Sequence, residues 1–287
     1  NEFVNYLKST NNVGGNSTGS LAESQVKSSF YDSIKVDRKL GTYITDCVTS
    51  GNHQAFILTG HAGDGKTSIL VQALKTLGYL QPGAGLQVEE KFANFLYIKD
   101  MSEIATEKQA NALRMALAAP QGCRTSLLIS NTGPLLKTFE TLVKEQKEAS
   151  GKKFTDEERM KLQSTLLTQL DSNDDNAIEV GGYSFVLVNI ARVDNVPFAA
   201  KILKNILADG LWEPCANCPC ANRCPIKSNH DIVTQQFDRV AAFIENYYRY
   251  LYENDKRMTI RQMVGQISYA LTGNLTCNDV MAHHLRE

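Results

Sequence analysis

Residues 55–67 have the sequence AFILTGHAGDGKT, in which a short apolar run, Ala55–Thr59, leads directly into a glycine-rich segment. An apolar run of this length fits a buried strand. The apolar residues that follow recur at helical spacing as far as Gly78, which stands where a helix C-cap is expected. The stretch therefore predicts a strand, a loop over Gly60–Lys66 and a helix over Thr67–Leu77, which together form the repeating unit of a parallel α/β sheet.

The eight residues that follow the strand match the pattern G-x-x-x-x-G-K-[ST], which is typical of phosphate-binding loops. Glycines let the backbone wrap closely round a phosphate with its N–H groups pointing inward, and the next helix adds the positive end of its dipole. In this pattern Lys66 reaches the β- and γ-phosphates and the Thr67 hydroxyl coordinates Mg²⁺. The sequence predicts a site for ATP and Mg²⁺ formed by Gly60, His61, Ala62, Gly63, Asp64, Gly65, Lys66, Thr67 and Ser68.

Further strand-length apolar runs follow along the chain, at Phe95–Ile98, Ser126–Ser130 and Ser184–Asn189. They are separated by segments with helical periodicity, of which Thr106–Ala118 is the clearest. Short apolar strands that alternate with helices predict an α/β fold, in which a mainly parallel, doubly wound sheet is flanked by helices.

Changes in composition divide the chain into four predicted segments. Residues 9–20 are polar and glycine-rich, whereas the residues after Phe237 show two long helical stripes, the second of which begins after a capping Thr259. We expect a flexible N-terminal segment (1–30), an ATPase α/β core (31–210), a cysteine-rich metal knuckle (211–230) and a small helical C-terminal lid (231–287).

The composition also limits the classes of protein to which the chain can belong. With 43% hydrophobic residues in a chain of 287, it can bury a sizeable core, and its net charge of −1 nominates no nucleic-acid partner. No apolar run approaches the ~18–20 residues of a membrane-spanning helix, and no secretion signal is visible. We therefore expect a cytoplasmic protein with no membrane partner.

Two acidic residues follow the strand Phe95–Ile98. Nucleotide hydrolysis needs a carboxylate for Mg²⁺ and a group that orients the attacking water. Asp100 is the candidate for the metal-side acid, and Glu103 is the nearest candidate for activating water. The alternative is that Asp100 only caps a helix starting at Ser102.

Three other polar residues are candidates for contact with phosphate. Asn131 follows the strand Ser126–Ser130, where a side chain could sense the γ-phosphate, although Asn-Thr-Gly is also a simple turn. Arg261 lies one turn into the last long helix and could reach phosphate, or it could be an exposed helix arginine. Arg192 follows the last strand and could contact a nucleotide on a neighbouring subunit.

Four of the seven cysteines lie within ten residues, in the pattern C-x₂-C-x-C-x₃-C formed by Cys215, Cys218, Cys220 and Cys224. Thiolates at this spacing suit tetrahedral zinc or, alternatively, an iron–sulfur cluster. Two further alternatives stay open: His230 replaces Cys220 as a ligand, or the cysteines are free or paired as disulfides. We expect a structural Zn²⁺ in this segment rather than a catalytic one.

The loop GHAGDGKTS, the strand ending in Asp100, the segment SLLISNTG and the helix MTIRQMVGQISYALTG resemble the AAA+/STAND class of P-loop ATPases. In that class the four features are Walker A, Walker B, sensor 1 and a sensor-2 lid arginine. The usual pair of adjacent acids is absent at the strand end, because Met101 and Ser102 separate Asp100 from Glu103. The segment with W-E-x-C-x-x-C is also similar to prokaryotic defence ATPases, in particular the ATPase of phosphorothioation-dependent DNA restriction.

The resemblance implies an ATPase whose turnover moves the lid against the sheet and drives or gates a protein assembly, in prokaryotic defence against foreign DNA. It implies a homo-oligomer, or partner proteins of a multi-component system, because a neighbouring arginine completes such sites. Contact with DNA would be indirect.

Three other functions fit the same residues. The chain could be a nucleotide-gated switch or scaffold that barely hydrolyses ATP, and the weak Walker B region favours this alternative. It could be a P-loop kinase, although its C-terminal helices are poor in arginine. It could also be a metal-knuckle DNA-binding protein, against which its near-neutral charge argues.

Overall fold

The computed structural model describes residues 1–11, 28–81, 83–172 and 176–284. The chain divides into two compact units, one formed by residues 37–193 and the other by residues 1–36 together with 194–287. Most of the predicted loop at 9–20 lies outside the described residues. The polar stretch Asp171–Asn176, whose sequence DSNDDN predicts a turn, is described only in part, because residues 173–175 also lie outside.

The described helices are, in chain order, α1 (Glu2–Thr10), α2 (Tyr31–Ile34), α3 (Lys39–Ser50), α4 (Lys66–Thr76), α5 (Thr106–Ala118), α6 (Thr132–Ala149), α7 (Asp156–Asp171), α8 (Ala199–Ile206), α9 (Asp209–Ala216), α10 (Pro225–Gln235), α11 (Phe237–Glu253), α12 (Ile260–Thr272) and α13 (Cys277–His284). The strands are β1 (Ala55–Thr59), β2 (Glu89–Lys91), β3 (Phe95–Ile98), β4 (Thr125–Ile129), β5 (Ala177–Val180) and β6 (Tyr183–Asn189). The strands predicted at 55–59 and 95–98 are confirmed at those bounds, and the next two agree within one residue.

The unit of residues 37–193 contains one six-stranded sheet in the order β2-β3-β4-β1-β6-β5. The four central strands are parallel. Both edge strands are antiparallel to their neighbours. The α/β class is therefore confirmed, whereas the expectation of a mainly parallel sheet holds only for the centre, because two short edge strands run the other way.

Each central strand is buried on both faces, since alternate side chains point to opposite sides of a sheet. Phe56 and Leu58 of β1 belong to a core cluster with residues of α3 and α4. Ala55 and Ile57 belong to a second cluster with residues of α5, α6 and α7. Two helical layers thus cover the sheet, which explains why these strands have continuous apolar sequences.

The chain order of the strands places the end of β1 at the middle of the sheet. After β1 the chain passes to β3 and β4 on one side, and it later returns as β6 on the other side. In open α/β sheets, ligands bind beyond the carboxyl ends of the strands where the strand order reverses in this way. The segment that follows Thr59 begins at this position.

The second unit is helical among its described residues. Its core contains Phe3 of α1, Trp212 of α9, Tyr248 of α11 and Met263 of α12, all nearly inaccessible to solvent. The predicted start of the last long helix is confirmed, because Thr259 forms a capping box with Gln262. The predicted end at Gly273 is also confirmed by its left-handed backbone.

Three expectations differ from the structure. Residues 2–10 form a helix with a buried face, where a flexible segment was expected to extend to residue 30. The apolar positions from Ile34 to Val48 predict a helix over that range, but the helix begins only at Lys39, since the backbone is extended at Lys35 and Arg38. The core expected at 31–210 corresponds to the unit of residues 37–193, and residues 194–210 belong to the helical unit.

Within the described part of the chain, no helix has both the length and the apolar character needed to cross a membrane.

Candidate functional site

The loop between β1 and α4 depends on glycine at both ends. Gly60 has φ 146° and Gly65 has φ 93°, values that side chains other than glycine rarely allow. A Cβ atom at Gly60 would lie 2.7 Å from Cγ1 of Ile190 and 3.2 Å from the backbone N of Ala191. The loop thus passes close to the turn after β6, and only glycine fits at its first position.

The side chain of Asp64 lies inside the loop and forms a hydrogen bond with its backbone. Its side chain is inaccessible to solvent, and Oδ2 accepts a hydrogen bond of 2.8 Å from the backbone N–H of His61. The N–H of Asp64 in turn donates to the carbonyl of His61 at 3.3 Å. These bonds fold residues 61–64 into a compact turn, while His61 and Ala62 themselves stay exposed.

Lys66 is the first residue of α4, and its side chain folds back over the loop. Nζ donates hydrogen bonds to the carbonyl oxygens of Gly60 at 2.6 Å and of His61 at 3.0 Å. The ammonium group is therefore held against the loop backbone, at the N-terminus of a helix, where backbone N–H groups and the dipole favour an anion. Thr67 and Ser68, in the same helical turn, are half-buried.

Arg38 also contacts the loop, and no sequence motif predicts this contact. It is buried, and its Nη2 donates to the carbonyl oxygen of Asp64 at 3.0 Å. A lone arginine carries no motif, so no sequence signal could have identified it.

Register places three predicted residues at the same edge of the sheet. Ile98 of β3 and Ile57 of β1 both pair with Leu128 of β4. Counting onward, Asp100 lies level with Ser130, and the N–H of Ser130 donates to the carbonyl of Leu58 at 3.0 Å. Asp100, Asn131 and the loop that starts at Gly60 therefore follow neighbouring strands at their carboxyl ends.

Asp100 acts as a cap for the short 3₁₀ turn Met101–Glu103. Its Oδ1 accepts from the backbone N–H of Ser102 at 2.9 Å and from the Ser102 hydroxyl at 2.8 Å. The other carboxylate oxygen, Oδ2, has no hydrogen bond or ion pair with any residue that the structure describes. The capping alternative is therefore seen in the geometry, and it leaves one oxygen available.

Glu103 is paired with Lys99. Its Oε2 lies 2.9 Å from Nζ of Lys99, whose side chain is only 7% exposed. The carboxylate is therefore engaged by an ammonium group rather than available to orient a water molecule. In this structure Glu103 is positioned as an ion-pair partner.

Asn131 is the N-cap residue of α6, but its side chain makes no capping bond. It is exposed, and its amide has no hydrogen-bond partner among the described residues.

On the other side of β1, Asn189 is the register partner of Thr59. Its Oδ1 accepts from the N–H of Ala191 at 3.1 Å, which shapes the turn that contacts Gly60.

The two predicted arginines have different surroundings. Arg192, in the turn after β6, is exposed and forms an ion pair with Asp171. Arg261 is the second residue of α12, lies in the helical unit and is half-buried. Its guanidinium group makes no ion pair with the residues that the structure describes.

All seven cysteines lie in the described residues, and all are free thiols. Within the described chain, no group of three or more His, Cys, Asp or Glu side chains is arranged to hold a metal ion. Burial raises the pKa of the Cys215 thiol, and neighbouring Cys277 and Cys224 raise that pKa further. Cysteines of the predicted knuckle are thus neighbours, but the structure does not gather them round one point.

His230, the alternative ligand, is engaged elsewhere. Its ring stacks on Trp212 with centroids 4.3 Å apart. Nδ1 lies 3.1 Å from Oδ1 of Asp231 and Nε2 lies 3.5 Å from the Thr234 hydroxyl. Both ring nitrogens therefore face oxygen atoms, and the geometry gives no support to His230 as a ligand.

No protein-family model, curated protein or solved structure matches this chain.

Proposed function

We propose that the chain binds ATP at the loop Gly60–Ser68 and hydrolyses it. The observation that carries this proposal is the position of Lys66, whose ammonium group is held by the carbonyls of Gly60 and His61. This cation lies in a glycine-rich turn at the carboxyl end of the central parallel strand, which is the expected place for a phosphate group in an α/β sheet.

The residues of this edge have separate roles in the proposed site. Lys66 binds the β- and γ-phosphates, and the N–H groups of the loop and of α4 receive phosphate oxygens. The exposed amide of Asn131 senses the γ-phosphate. Asp64 and Arg38 hold the loop in shape without touching the nucleotide.

The residues at this edge also fit a magnesium ion. Oδ2 of Asp100 and the hydroxyl of Thr67 make no hydrogen bond to any described residue, and oxygen atoms of this kind are the ligands that Mg²⁺ prefers. When bound, Mg²⁺ would neutralise charge on the phosphates. Thr67 and Asp100 would hold it, directly or through water.

Steady-state phosphate release from Mg-ATP tests the proposal. We expect turnover by the wild-type chain and its loss in Lys66→Ala. The matched control is Lys108→Ala, which removes a lysine from an exposed position of α5 in the same unit. If Lys66→Ala bound ATP and released phosphate as the wild type does, the site would lie elsewhere.

A second function is favoured by one observation, the Lys99–Glu103 ion pair. With Glu103 held by Lys99, the described residues near Asp100 offer no ready base for the attacking water, which fits a nucleotide-gated switch or scaffold. Tight ATP binding that depends on Lys66, without phosphate release, would favour the switch over the ATPase.

We also propose the setting that the AAA+/STAND resemblance implies. Nucleotide turnover would drive or gate a protein assembly in prokaryotic defence against foreign DNA, with Arg261 coupling a helical lid to the nucleotide. Arg192 of a neighbouring copy would complete the site in a homo-oligomer. Phosphate release from Mg-ATP measured with and without duplex DNA tests this setting, because stimulation of turnover by DNA would support a role in DNA defence.

For the cysteine-rich segment we propose a structural metal site, with Zn²⁺ as its ion and an iron–sulfur cluster as the alternative. Cys215, Cys218, Cys220 and Cys224 supply four thiols from a short stretch, and their spacing supports this proposal. Metal content of the purified chain, measured with and without a chelator, tests it.

A further inference from the structure

Helix α11 has apolar side chains on both of its faces. On the face toward the core of the helical unit, Ala241 and Tyr248 are buried, and Ile244 packs against the same core. On the opposite face, Phe243 is 66% exposed and Tyr250 is 64% exposed. A surface helix ordinarily carries polar side chains on the face turned away from the core. This second apolar face therefore indicates a surface that meets another molecule.

Five exposed residues of this face follow one line along the helix: Arg239, Phe243, Asn246, Tyr250 and Glu253. They alternate at spacings of four and three residues, which is the spacing of a seam between two packed helices. We call these five residues the α11 seam. It begins with a cation, ends with an anion and has an aromatic ring on each side of its central asparagine.

Tyr247 lies beside the seam and widens its apolar part. Its side chain is 44% exposed, and its ring lies nearly parallel to that of Phe243, with centroids 6.3 Å apart. Aromatic residues are enriched in the cores of protein interfaces, where charged residues are depleted. The seam has this composition, because its aromatic residues lie in the middle and its charges lie at the two ends.

The charges of the seam are placed symmetrically about its middle. Arg239 lies seven residues before Asn246 and Glu253 lies seven residues after it, which is about 10 Å in each direction at the rise of an α-helix. When two copies of α11 pack antiparallel across a two-fold axis near Asn246, each Arg239 meets Glu253 of the other copy. Each Phe243 then meets Tyr250 of the other copy. A parallel pair would place like charges together at both ends.

We propose that the α11 seam is a surface for self-association, at which two copies of this chain form an antiparallel, two-fold symmetric dimer. Such an interface is self-complementary, since each copy supplies both partners of every contact. The antiparallel arrangement also opposes the two helix dipoles. This inference goes beyond the proposed function, because the seam lies within the helical unit and its pairing does not depend on ATP.

The exposed area predicts that the dimer is weak. An aromatic side chain buries about 150–250 Å² when it is fully covered, so the exposed parts of Phe243, Tyr247 and Tyr250 offer roughly 300 Å² per copy. Stable interfaces bury about 800 Å² per partner, and the other seam residues supply only part of the difference. We therefore expect a reversible dimer with a dissociation constant above about 1 µM.

Sedimentation equilibrium of the full chain without nucleotide, over a range of concentrations, tests the proposal. We expect a monomer–dimer equilibrium for the wild type. Association should be at least about tenfold weaker for Tyr250→Ala, since two-fold symmetry counts the loss of each aromatic pair twice. Tyr269→Ala is the matched control, because Tyr269 is 58% exposed on α12 of the same unit but lies outside the seam. It should associate as the wild type does.

Two outcomes of this experiment would overturn the inference. One is a wild-type chain that stays monomeric at every concentration up to about 1 mM, which would leave the seam to a partner of another kind. The other is equal weakening by Tyr250→Ala and Tyr269→Ala. Neither outcome would bear on the proposed ATP site, which phosphate release tests separately.

Charge reversal tests the antiparallel pairing itself. Arg239→Glu brings two acidic side chains together at each end of the pair, and Glu253→Arg brings two basic ones together. Each variant should therefore associate about fivefold or more weakly than the wild type. The double variant Arg239→Glu/Glu253→Arg restores opposite charges at both ends and should recover wild-type association. A double variant as weak as the two single variants would contradict the proposed dimer.

Discussion

Nη2 of Arg38 donates a hydrogen bond of 3.0 Å to the backbone carbonyl of Asp64, in the middle of the glycine-rich loop. The backbone at Arg38 is itself fixed by Gln72 of α4, whose Oε1 accepts from the Arg38 N–H at 2.8 Å and whose Nε2 donates to the Arg38 carbonyl at 3.1 Å. The segment before α3, the loop and the helix after the loop are therefore joined by a few polar contacts. We infer that Arg38 pre-forms the loop for its ligand.

Arg38→Met should weaken ATP binding about tenfold. The substitution keeps a long side chain but removes a charged hydrogen bond worth ~1.5–3 kcal/mol from a buried site. We expect part of this free energy to be lost from the conformation of the loop that binds ATP. A loss of 1.4 kcal/mol corresponds to a factor of ten in affinity. Isothermal titration calorimetry measures the change. Lys39→Met, which removes a positive charge from the adjacent exposed residue, should bind normally, and equal affinities of the two variants would contradict the proposed role.

Gly60→Ala should destabilise the protein more than alanine at another glycine with positive φ. Its Cβ would meet Ile190 at 2.7 Å in addition to the backbone strain, so we expect a loss of about 2–4 kcal/mol in the free energy of unfolding. Gly51 also has a positive φ, of 74°, but nothing lies within 4 Å of its Cβ position. Urea denaturation should therefore show a loss of only about 1–2 kcal/mol for Gly51→Ala, and equal losses would show that the contact with Ile190 does not matter.

Asp100→Asn separates the capping role of Asp100 from its proposed role toward Mg²⁺. Asparagine keeps an oxygen that can accept from Ser102, so the free energy of unfolding should change by less than about 0.5 kcal/mol. Loss of the negative charge should lower phosphate release at least about tenfold and raise the Mg²⁺ concentration needed for half-maximal rate. Asp100→Ala should add a stability loss of about 1 kcal/mol. If phosphate release by Asp100→Asn depended on Mg²⁺ as it does in the wild type, Asp100 would have only its capping role.

The sequence predicted the central strands well because they are buried on both faces. A strand such as Phe95–Ile98, with four buried residues in succession, has a continuous apolar sequence that periodicity detects. β2 consists of the exposed residues Glu89–Lys91 and pairs with only one neighbour, so it carries no apolar signal. β5 is half-exposed at alternate positions, and four residues are too few for that alternation to be diagnostic.

In the candidate site, too, the residues that are contiguous in sequence could be predicted, whereas the contacts between separate segments could not. The loop Gly60–Ser68 could be predicted because all its functional groups are contiguous. The contact between Arg38 and Asp64 and the position of Cys277 near Cys215 arise from packing between segments that are distant in sequence. The ion pair of Glu103, in contrast, joins residues only four positions apart. Spacing in the sequence holds no record of the contacts between distant segments, and the pairing of Glu103 with Lys99 depends on the 3₁₀ turn Met101–Glu103 that lies between them.

Phe3→Ala should destabilise the helical unit by about 3–5 kcal/mol, the usual cost of deleting a buried phenylalanine. Phe3 is fully buried, and its ring meets Trp212 edge-on at 5.8 Å. Trp212 is the only tryptophan in the chain, so its fluorescence during urea unfolding reports on this unit. Phe243→Ala removes a phenylalanine that is 66% exposed in the same unit and should cost less than about 0.5 kcal/mol. Similar midpoints for both variants would show that α1 contributes little to the core.

Glu158→Gln should reveal a stabilisation that depends on pH. Hydrogen bonding to Lys147 is the main cause that holds the pKa of Glu158 below its ordinary 4.5, and the backbone N–H of Thr155 adds to it. A carboxyl group whose folded-state pKa is lowered stabilises the protein above the ordinary pKa, and this contribution is lost as the pH falls through the lowered value. Glutamine preserves the capping box with Thr155, so the variant isolates the contribution of the charge.

In urea denaturation followed by circular dichroism, the variant should be less stable than the wild type at pH 7, and the difference should shrink below about pH 4.5. Glu157→Gln, one residue away and exposed, should show a smaller difference at pH 7, and a gap for Glu158→Gln that persisted in acid would mean that the Lys147 charge pair is not its source.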